Sequence, residues 1–329
     1  MKKAFVTGAP GFLGAAITRE LVQRGVEVRA LALPQERLDL IEDLDVDIVR
    51  GDVRDPEAMA EFTKGVDTVF HPAAIYDPGH AIQDRMYEVN LRGTFHVLSA
   101  AKKNRVKKVI YTASIVSLGR AEPGKLADED TLYNAWDIDF PYSRSKLFSR
   151  WIAEDFNRWN LDVRVVCPGI VLGPGDIRPT PSGRLILAVA GERVPGYSMG
   201  GGATYVDVRD AALAHVLAAE RGQRGRTYVA TAHNLSMREF MERVARVAKA
   251  RDWFLRFPKP VVQAYVSGLE WYAEQTGTEP DVTRNFLDYS SPPSYFDNRR
   301  SREELGMTYR PLEETVADAL AWFNERGMR

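Results

Sequence analysis

The sequence predicts an α/β protein, a doubly wound parallel sheet with helices on both faces, followed by a smaller C-terminal substrate-binding lobe. Two observations predict it. The first half alternates short apolar runs with segments of helical spacing, the pattern of strands joined by crossover helices. The first apolar run ends in a spaced glycine set, Gly8, Gly11 and Gly14, where a strand turns into a helix.

Residues 4–7 form the first apolar strand, and residues 15–24 a helix that stops at Gly25. The start of the chain, two lysines and then an apolar stretch, imitates a secretory signal. Gly8, Pro10, Gly11 and Gly14 interrupt that stretch and no A-x-A cleavage site follows, so it reads as strand, turn and helix. Further strands are expected at 26–31, 47–49, 68–70, 108–112 and 163–167, and helices at 56–63, 83–103 and 141–158. Right-handed crossovers gather the strand carboxyl ends on one edge, where ligands bind. Residues 1–168 therefore read as the dinucleotide-binding domain, with 204–232 returning to it, and 169–329 mainly as the second lobe.

Residues 173–183 are rich in proline and glycine and read as a loop. In the stretch 252–296, Val261, Val262, Tyr265, Val266, Leu269 and Tyr272 recur at helical spacing. The expected reading is a stripe packed on the core. A wall of an apolar pocket and a membrane-facing surface are the two others.

Composition excludes several classes. The chain has 329 residues, 45% of them hydrophobic, enough for a large core. Its 44 basic and 45 acidic side chains leave a net charge of −1, without a footprint for nucleic acid. No run of eighteen apolar residues predicts a membrane span. Cys167 is the single cysteine, so no internal disulfide can form, which suits a reducing cytoplasm. His71, His80, His96, His215 and His233 lack metal-ligand spacing, and no metal site is expected.

The glycine set predicts a phosphate cradle of the Rossmann type. Glycine lets the main chain turn tightly and approach a pyrophosphate without a Cβ in the way. The helix opening at Phe12, Leu13 and Gly14 then aims free N–H groups and a positive dipole end at the phosphates. NAD sites place an acid at the end of the second strand to take the ribose 2′-hydroxyl, but Ala32-Leu33-Pro34 stand there. Arg29 lies on that strand and Arg37 just beyond it. NADP is therefore the expected cofactor, with Arg37 as the 2′-phosphate partner and NAD the alternative. Asp52, with Val53 behind it, is placed to meet the adenine. The competing reading of Asp52 is a turn cap after Gly51.

Tyr142 and Lys146 lie four residues apart on one predicted helix face, twenty-eight residues after Ser114. Of the thirteen tyrosines only Tyr142 has a lysine at that spacing. Ketone reduction by hydride needs a proton, and a phenol beside an ammonium can supply it. Ser114 ends an apolar strand at its carboxyl end, where a hydroxyl can hold the substrate oxygen in line.

With these residues the chain resembles the extended short-chain dehydrogenase/reductase (NAD-dependent epimerase/dehydratase) family. The stretches that carry the resemblance are 6–14, Gly51-Asp52-Val53-Arg54-Asp55, His71-Pro72-Ala73-Ala74, Asn90-Leu91-Arg92-Gly93-Thr94, Tyr111-Thr112-Ala113-Ser114, Tyr142-Ser143-Arg144-Ser145-Lys146 and 205–210. Residues 179–184, 295–298 and 304–306 are similar to its dihydroflavonol-reductase-like branch, which includes hopanoid-associated sugar epimerase-like and 3β-hydroxysteroid-dehydrogenase-like sequences. The resemblance implies Ser114, Tyr142 and Lys146 as the catalytic set, with Asn90 supporting the fold or a proton relay. It implies that Lys146 also bonds the nicotinamide ribose, that Ala73, Tyr142, Pro168 and Val171 line the cofactor, and that helices near 83–103 and 141–158 form a homodimer. The sequence departs from the family at Cys167 and Leu33, where relatives often carry arginine.

Three functions are compatible with this set. The first is an NAD(P)-dependent oxidoreductase acting on a ketone or secondary alcohol, a small-molecule substrate, with Tyr142 as general acid/base. The second is a nucleotide-sugar epimerase using the same residues. A dehydratase would need an acid–base pair after the serine, where Ile115-Val116 stand. The third is a non-catalytic NAD(P) sensor, against which Tyr142 and Lys146 argue. Tyr76, Arg178 and Tyr205 are candidates for the substrate pocket, and residues 128–130 read as a solvated acidic loop.

Overall fold

The computed structural model describes residues 1–76, 82–198, 200–276 and 283–328. Seven parallel strands make the main sheet. They are β1 (Lys3–Val6), β2 (Glu27–Ala32), β3 (Asp47–Arg50), β4 (Thr68–His71), β5 (Lys108–Thr112) and β6 (Val163–Pro168), with β10 (Thr227–Ala230) joining from the second half of the chain, in the spatial order β10-β6-β5-β4-β1-β2-β3. Three further strands, β7 (Ile170–Leu172), β9 (Gly202–Asp207) and β11 (His233–Ser236), form a small mixed sheet, and β8 (Gly196–Ser198) pairs with β12 (Leu255–Phe257). The strand order reverses between β1 and β4, and their carboxyl ends open the crevice where such sheets bind ligands.

β4 and β6 are buried along their whole length, because helices cover both faces of the sheet. One face carries α1 (Phe12–Gln23) and α7 (Val208–Glu220), and the other α2 (Pro56–Phe62), α4 (Thr94–Lys103) and α5 (Pro141–Asp155), with α3 (Gln83–Tyr87) leading into α4. α1 and α7 pack against each other, and the buried residues of α7 are largely alanine. α6 (Pro181–Ala190), α8 (Met237–Ala248) and α12 (Leu312–Glu325) enclose the second core around the small sheet. α9 (Lys259–Thr276), α10 (Arg284–Ser290) and α11 (Arg299–Leu305) complete the chain.

Four sequence expectations change here. The single helix expected over 83–103 is α3, then a turn of π-helix at Glu88–Gly93, then α4. Residues 173–183 are a loop only until Pro181, where Thr180 caps α6 through a bond from the Gly183 N–H. The acidic run 128–130 is not simply solvated. Glu129 is buried, accepts from the Val229 N–H at 2.8 Å and faces Arg300 at 3.6 Å, tying its loop to β10 and α11. The stripe of 261–272 is not a core stripe. Val266 is buried, but Val261, Tyr265, Leu269 and Tyr272 are exposed.

Candidate active site

The loops after β1, β4, β5 and β6 converge at one edge of the sheet. Gly8 sits there at φ +58°, and a Cβ on it would lie 3.0 Å from Ala73 Cα. A Cβ on Gly14 would lie 2.0 Å from the Gly8 carbonyl oxygen, main chain against main chain. No other residue type fits these two positions without moving a strand–helix junction. Gly11 caps α1 without a side-chain bond, and the first turn of α1 has no acid. The N–H groups of Phe12, Leu13 and Gly14 precede the first intrahelical bond, which Ala15 makes to Gly11. By contrast α2, α6, α7 and α8 have capping side chains, Asp55, Thr180, Asp207 and Ser236. The start of α1 is thus a set of unspent donors at the positive end of a helix dipole, and it suits a pyrophosphate.

A buried hydrogen-bond chain fixes that loop to β4. Thr94 donates its hydroxyl proton to the Asn90 carbonyl at 2.6 Å, so it accepts from His71 Nε2 at 3.1 Å. His71 Nδ1 is then the acceptor, 2.8 Å from the Thr7 hydroxyl, and Thr7 in turn accepts from the Ala73 N–H at 3.3 Å. Burial, with the Lys146 charge beside it, holds the His71 imidazole neutral and lowers its pKa to about 3. His71 is structural, a buried member of this hydrogen-bond chain.

The π turn sets Asn90 inward. Its amide oxygen accepts from the Ile75 N–H at 2.8 Å, and its nitrogen donates to the Ile75 carbonyl and the Ser145 hydroxyl, each at 3.0 Å. Asn90 therefore clamps the loop after β4 to α5.

α5 carries Tyr142 and Lys146 on one face, Lys146 buried and Tyr142 half-buried. The Ser114 hydroxyl is close enough to the Tyr142 phenol to affect its acidity, so these two are brought together. The Tyr76 ring meets Tyr142 edge-on, with centroids 4.7 Å apart. Burial raises the phenol's pKa well above its ordinary value, and the nearby Ser114 hydroxyl opposes that rise. A phenol beside an ammonium would ordinarily be made more acidic, but in this geometry burial governs the phenol. Lys146 instead donates to the Thr112 carbonyl at 2.7 Å, and burial lowers its pKa to about 8. Tyr142 is thus a protonated acid at neutral pH, with an ammonium one helical turn away.

The remaining candidates divide. Pro168 is buried at the end of β6, and Val171 is half-buried on β7. Val53 is buried beneath Gly93, so only its main chain faces outward. Asp52 is paired with Arg54 at 2.8 Å and accepts from the Arg54 N–H, which is the turn-cap reading. Arg37 is exposed and paired with Asp39 at 2.8 Å. Arg29 bonds Asp47 and the Phe62 and Lys64 carbonyls, so it is committed elsewhere. Arg178 is exposed in the loop before α6. Tyr205 does not line the site. It is 2% exposed and stacked on Phe240 at 4.3 Å, in the second core. The alternation along β9 turns it to the inner face.

Sequence reasoning missed several residues. Thr112 and His215 support Lys146 from β5 and α7. Phe140, Phe286 and Tyr289 form an aromatic wall beside Tyr142, with Phe140 and Tyr289 centroids 4.6 Å apart. Arg50 donates to the Leu33 and Glu36 carbonyls at 2.8 and 2.7 Å, and the Glu36 carboxylate accepts from the Leu33 N–H at 3.0 Å. Only Arg50 had a signal, a cation at the end of a strand next to the cofactor edge. His80 lies outside the described residues. Among the described residues, no group of three or more His, Cys, Asp or Glu side chains is arranged to hold a metal, and no helix is long and apolar enough to cross a membrane.

Comparison with known proteins adds to this geometry. A family model described as the NAD dependent epimerase/dehydratase family matches residues 4–231. The chain is 30% identical to a Synechocystis sp. protein named provisionally as a dihydroflavonol 4-reductase, over 98% of this chain and 95% of that one. It is 29% identical to sterol demethylase protein B of Methylococcus capsulatus, over 98% of each. Among solved structures it is similar to that of gox2253, with a TM-score of 0.88 and 33% identity over 100% of this chain and 99% of that one.

Proposed function

Because the chain belongs to the NAD dependent epimerase/dehydratase family, we propose that it is an extended short-chain dehydrogenase/reductase that interconverts a ketone and a secondary alcohol on an apolar, polycyclic or aromatic substrate. One observation carries this reading: a protonated Tyr142 beside Ser114, at the same sheet edge as the uncapped start of α1.

When bound, the nicotinamide gives hydride to, or takes it from, the substrate carbon. The protein's own residues do the rest. Ser114 orients the carbonyl oxygen, and Tyr142 gives that oxygen its proton as the carbon is reduced. The charge of Lys146 stabilises the phenolate left behind and its ammonium holds the ribose. Gly8, Gly11 and the N–H groups of Phe12, Leu13 and Gly14 hold the pyrophosphate. Ala73, Pro168 and Val171 flank the rest of the cofactor, with Asp52 and the Val53 main chain at the adenine.

NADP is the cofactor of this reading, with Arg37 on the 2′-phosphate and Arg50 beside it. Glu36 is the competing acid that would suit NAD. Tyr76 and Arg178 rim the substrate. Residues 1–168 with 204–232 serve the cofactor, and most of 169–329 the substrate. Phe95, Trp151 and Trp159, exposed on and beside α4 and α5, fit a homodimer built there. The names of the curated relatives, a dihydroflavonol reductase and a sterol demethylase component, favour an apolar substrate over a sugar nucleotide.

The test is to follow cofactor absorbance with NADPH, then NADH, against a panel of alicyclic and aryl ketones. Net oxidation of one cofactor is expected. Turnover of a sugar nucleotide without net cofactor consumption would overturn the reading.

A further inference from the structure

α9 presents an unusual outer face. At about 100° per residue, Val261, Tyr265, Leu269, Trp271 and Tyr272 fall within roughly 80° of one line along the helix. All five are exposed, at 54, 67, 37, 63 and 60%. The same arc contains Ala264, Gly268, Gln275 and Thr276, and no charged residue. Two charges of the helix lie on the inner side, where Lys259 meets Asp288 at 3.0 Å and Glu270 accepts from the Arg284 N–H at 2.8 Å. This is the reverse of an ordinary surface helix, whose apolar stripe faces the core.

The chain leading into α9 is strongly basic. Residues 243–259 hold Arg243, Arg246, Lys249, Arg251, Arg256 and Lys259 against one acid, Asp252. Arg246, Lys249 and Arg256 are exposed, and Arg251 lies over the exposed Trp253 ring at 4.5 Å. Tryptophan and tyrosine rings on an uncharged arc, flanked by exposed cations, match the headgroup boundary of an anionic bilayer.

The arc also connects with the reacting phenol. Gln263 on the inner side of α9 bonds Asp288 of α10 at 3.0 Å. α10 supplies Phe286 and Tyr289 to the aromatic wall of Phe140 and Tyr142. The helix that carries the arc is thus braced through a polar contact on α10, the element that supplies the aromatic wall beside Tyr142.

We propose that the outer face of α9 docks on an anionic lipid surface, lying along it without crossing it, and that the substrate is an apolar ketone or alcohol dissolved in that bilayer. The substrate half of this statement rests on the oxidoreductase reading above; the docking half does not.

The experiment is co-sedimentation of the full chain with vesicles of equimolar phosphatidylglycerol and phosphatidylcholine. The wild type is expected to sediment with them, to bind pure phosphatidylcholine weakly, and to be released by about 0.5 M salt. Tyr265→Glu/Tyr272→Glu should lose about tenfold in bound fraction while turning over a water-soluble ketone as before. Trp271→Gln should lose less and serves as the milder variant. Tyr142→Phe should bind vesicles normally while its turnover falls about a hundred- to ten-thousand-fold, which separates docking from catalysis. Absence of vesicle binding by the wild type, or equal binding by the double variant, overturns docking. So does a wild-type dimer that the double variant converts to monomer without vesicle binding, which would make the face a self-interface.

Discussion

The Lys146 ammonium donates to the Thr112 main-chain carbonyl at 2.7 Å, so the lysine is held by the strand that ends in Ser114. The Thr112 hydroxyl lies 2.9 Å from His215 Nε2, and His215 Nδ1 lies 2.7 Å from the Ala211 carbonyl. A carbonyl only accepts, so Nδ1 carries the proton and Nε2 accepts from Thr112. One chain of bonds thus joins α7, β5 and α5 behind the site.

This geometry gives a pH dependence. Burial lowers the Lys146 pKa from 10.5 to about 8. The ammonium is present below that value and lost above it. kcat/KM is expected to fall as pH rises through about 8, and a profile flat to about pH 10 would remove the lysine charge from the reaction.

Tyr142→Phe removes the proton donor and leaves the ring. Turnover should fall about a hundred- to ten-thousand-fold while cofactor affinity, measured by fluorescence titration, stays within about twofold. Turnover equal to wild type would take Tyr142 out of the mechanism.

Gly14→Ala sets a Cβ 2.0 Å from the Gly8 carbonyl oxygen. Neither main-chain segment can yield, so a loss of about 2–4 kcal/mol is expected in denaturant titration, with weakened dinucleotide binding. Gly268→Ala on α9 meets nothing within 4 Å and should instead stabilise by up to about 1 kcal/mol.

His71 and His215 predict acid sensitivity. Burial depresses their pKa values from 6.5 to about 3 and about 4. The unfolded imidazoles take up protons below about 6.5 while the folded ones stay neutral, so the unfolded state binds more protons in that window. Stability should decline by roughly 1.4 kcal/mol per histidine per pH unit from about pH 6.5 toward 4. Urea midpoints at a series of pH values check this, and His215→Asn should flatten the slope by about half.

Cofactor choice can be read from two opposed side chains. Arg37→Ala should raise KM for NADPH about tenfold and leave NADH unchanged. Glu36→Gln should weaken NADH relative to NADPH. Equal effects of Arg37→Ala on both cofactors would sink the 2′-phosphate role.

The sequence alone determined the βα alternation, the glycine turn, and the order of Ser114, Tyr142 and Lys146, because these depend on local periodicity and fixed spacing along the chain. The tertiary structure decided what depends on distant segments meeting. It directed Lys146 to Thr112 and on to His215, 69 residues further along the chain from the lysine. It turned Tyr205 into the second core and away from the substrate, and it turned the apolar stripe of α9 outward. Periodicity says that residues share a face; only the packing of neighbouring elements says whether that face meets the core or the solvent.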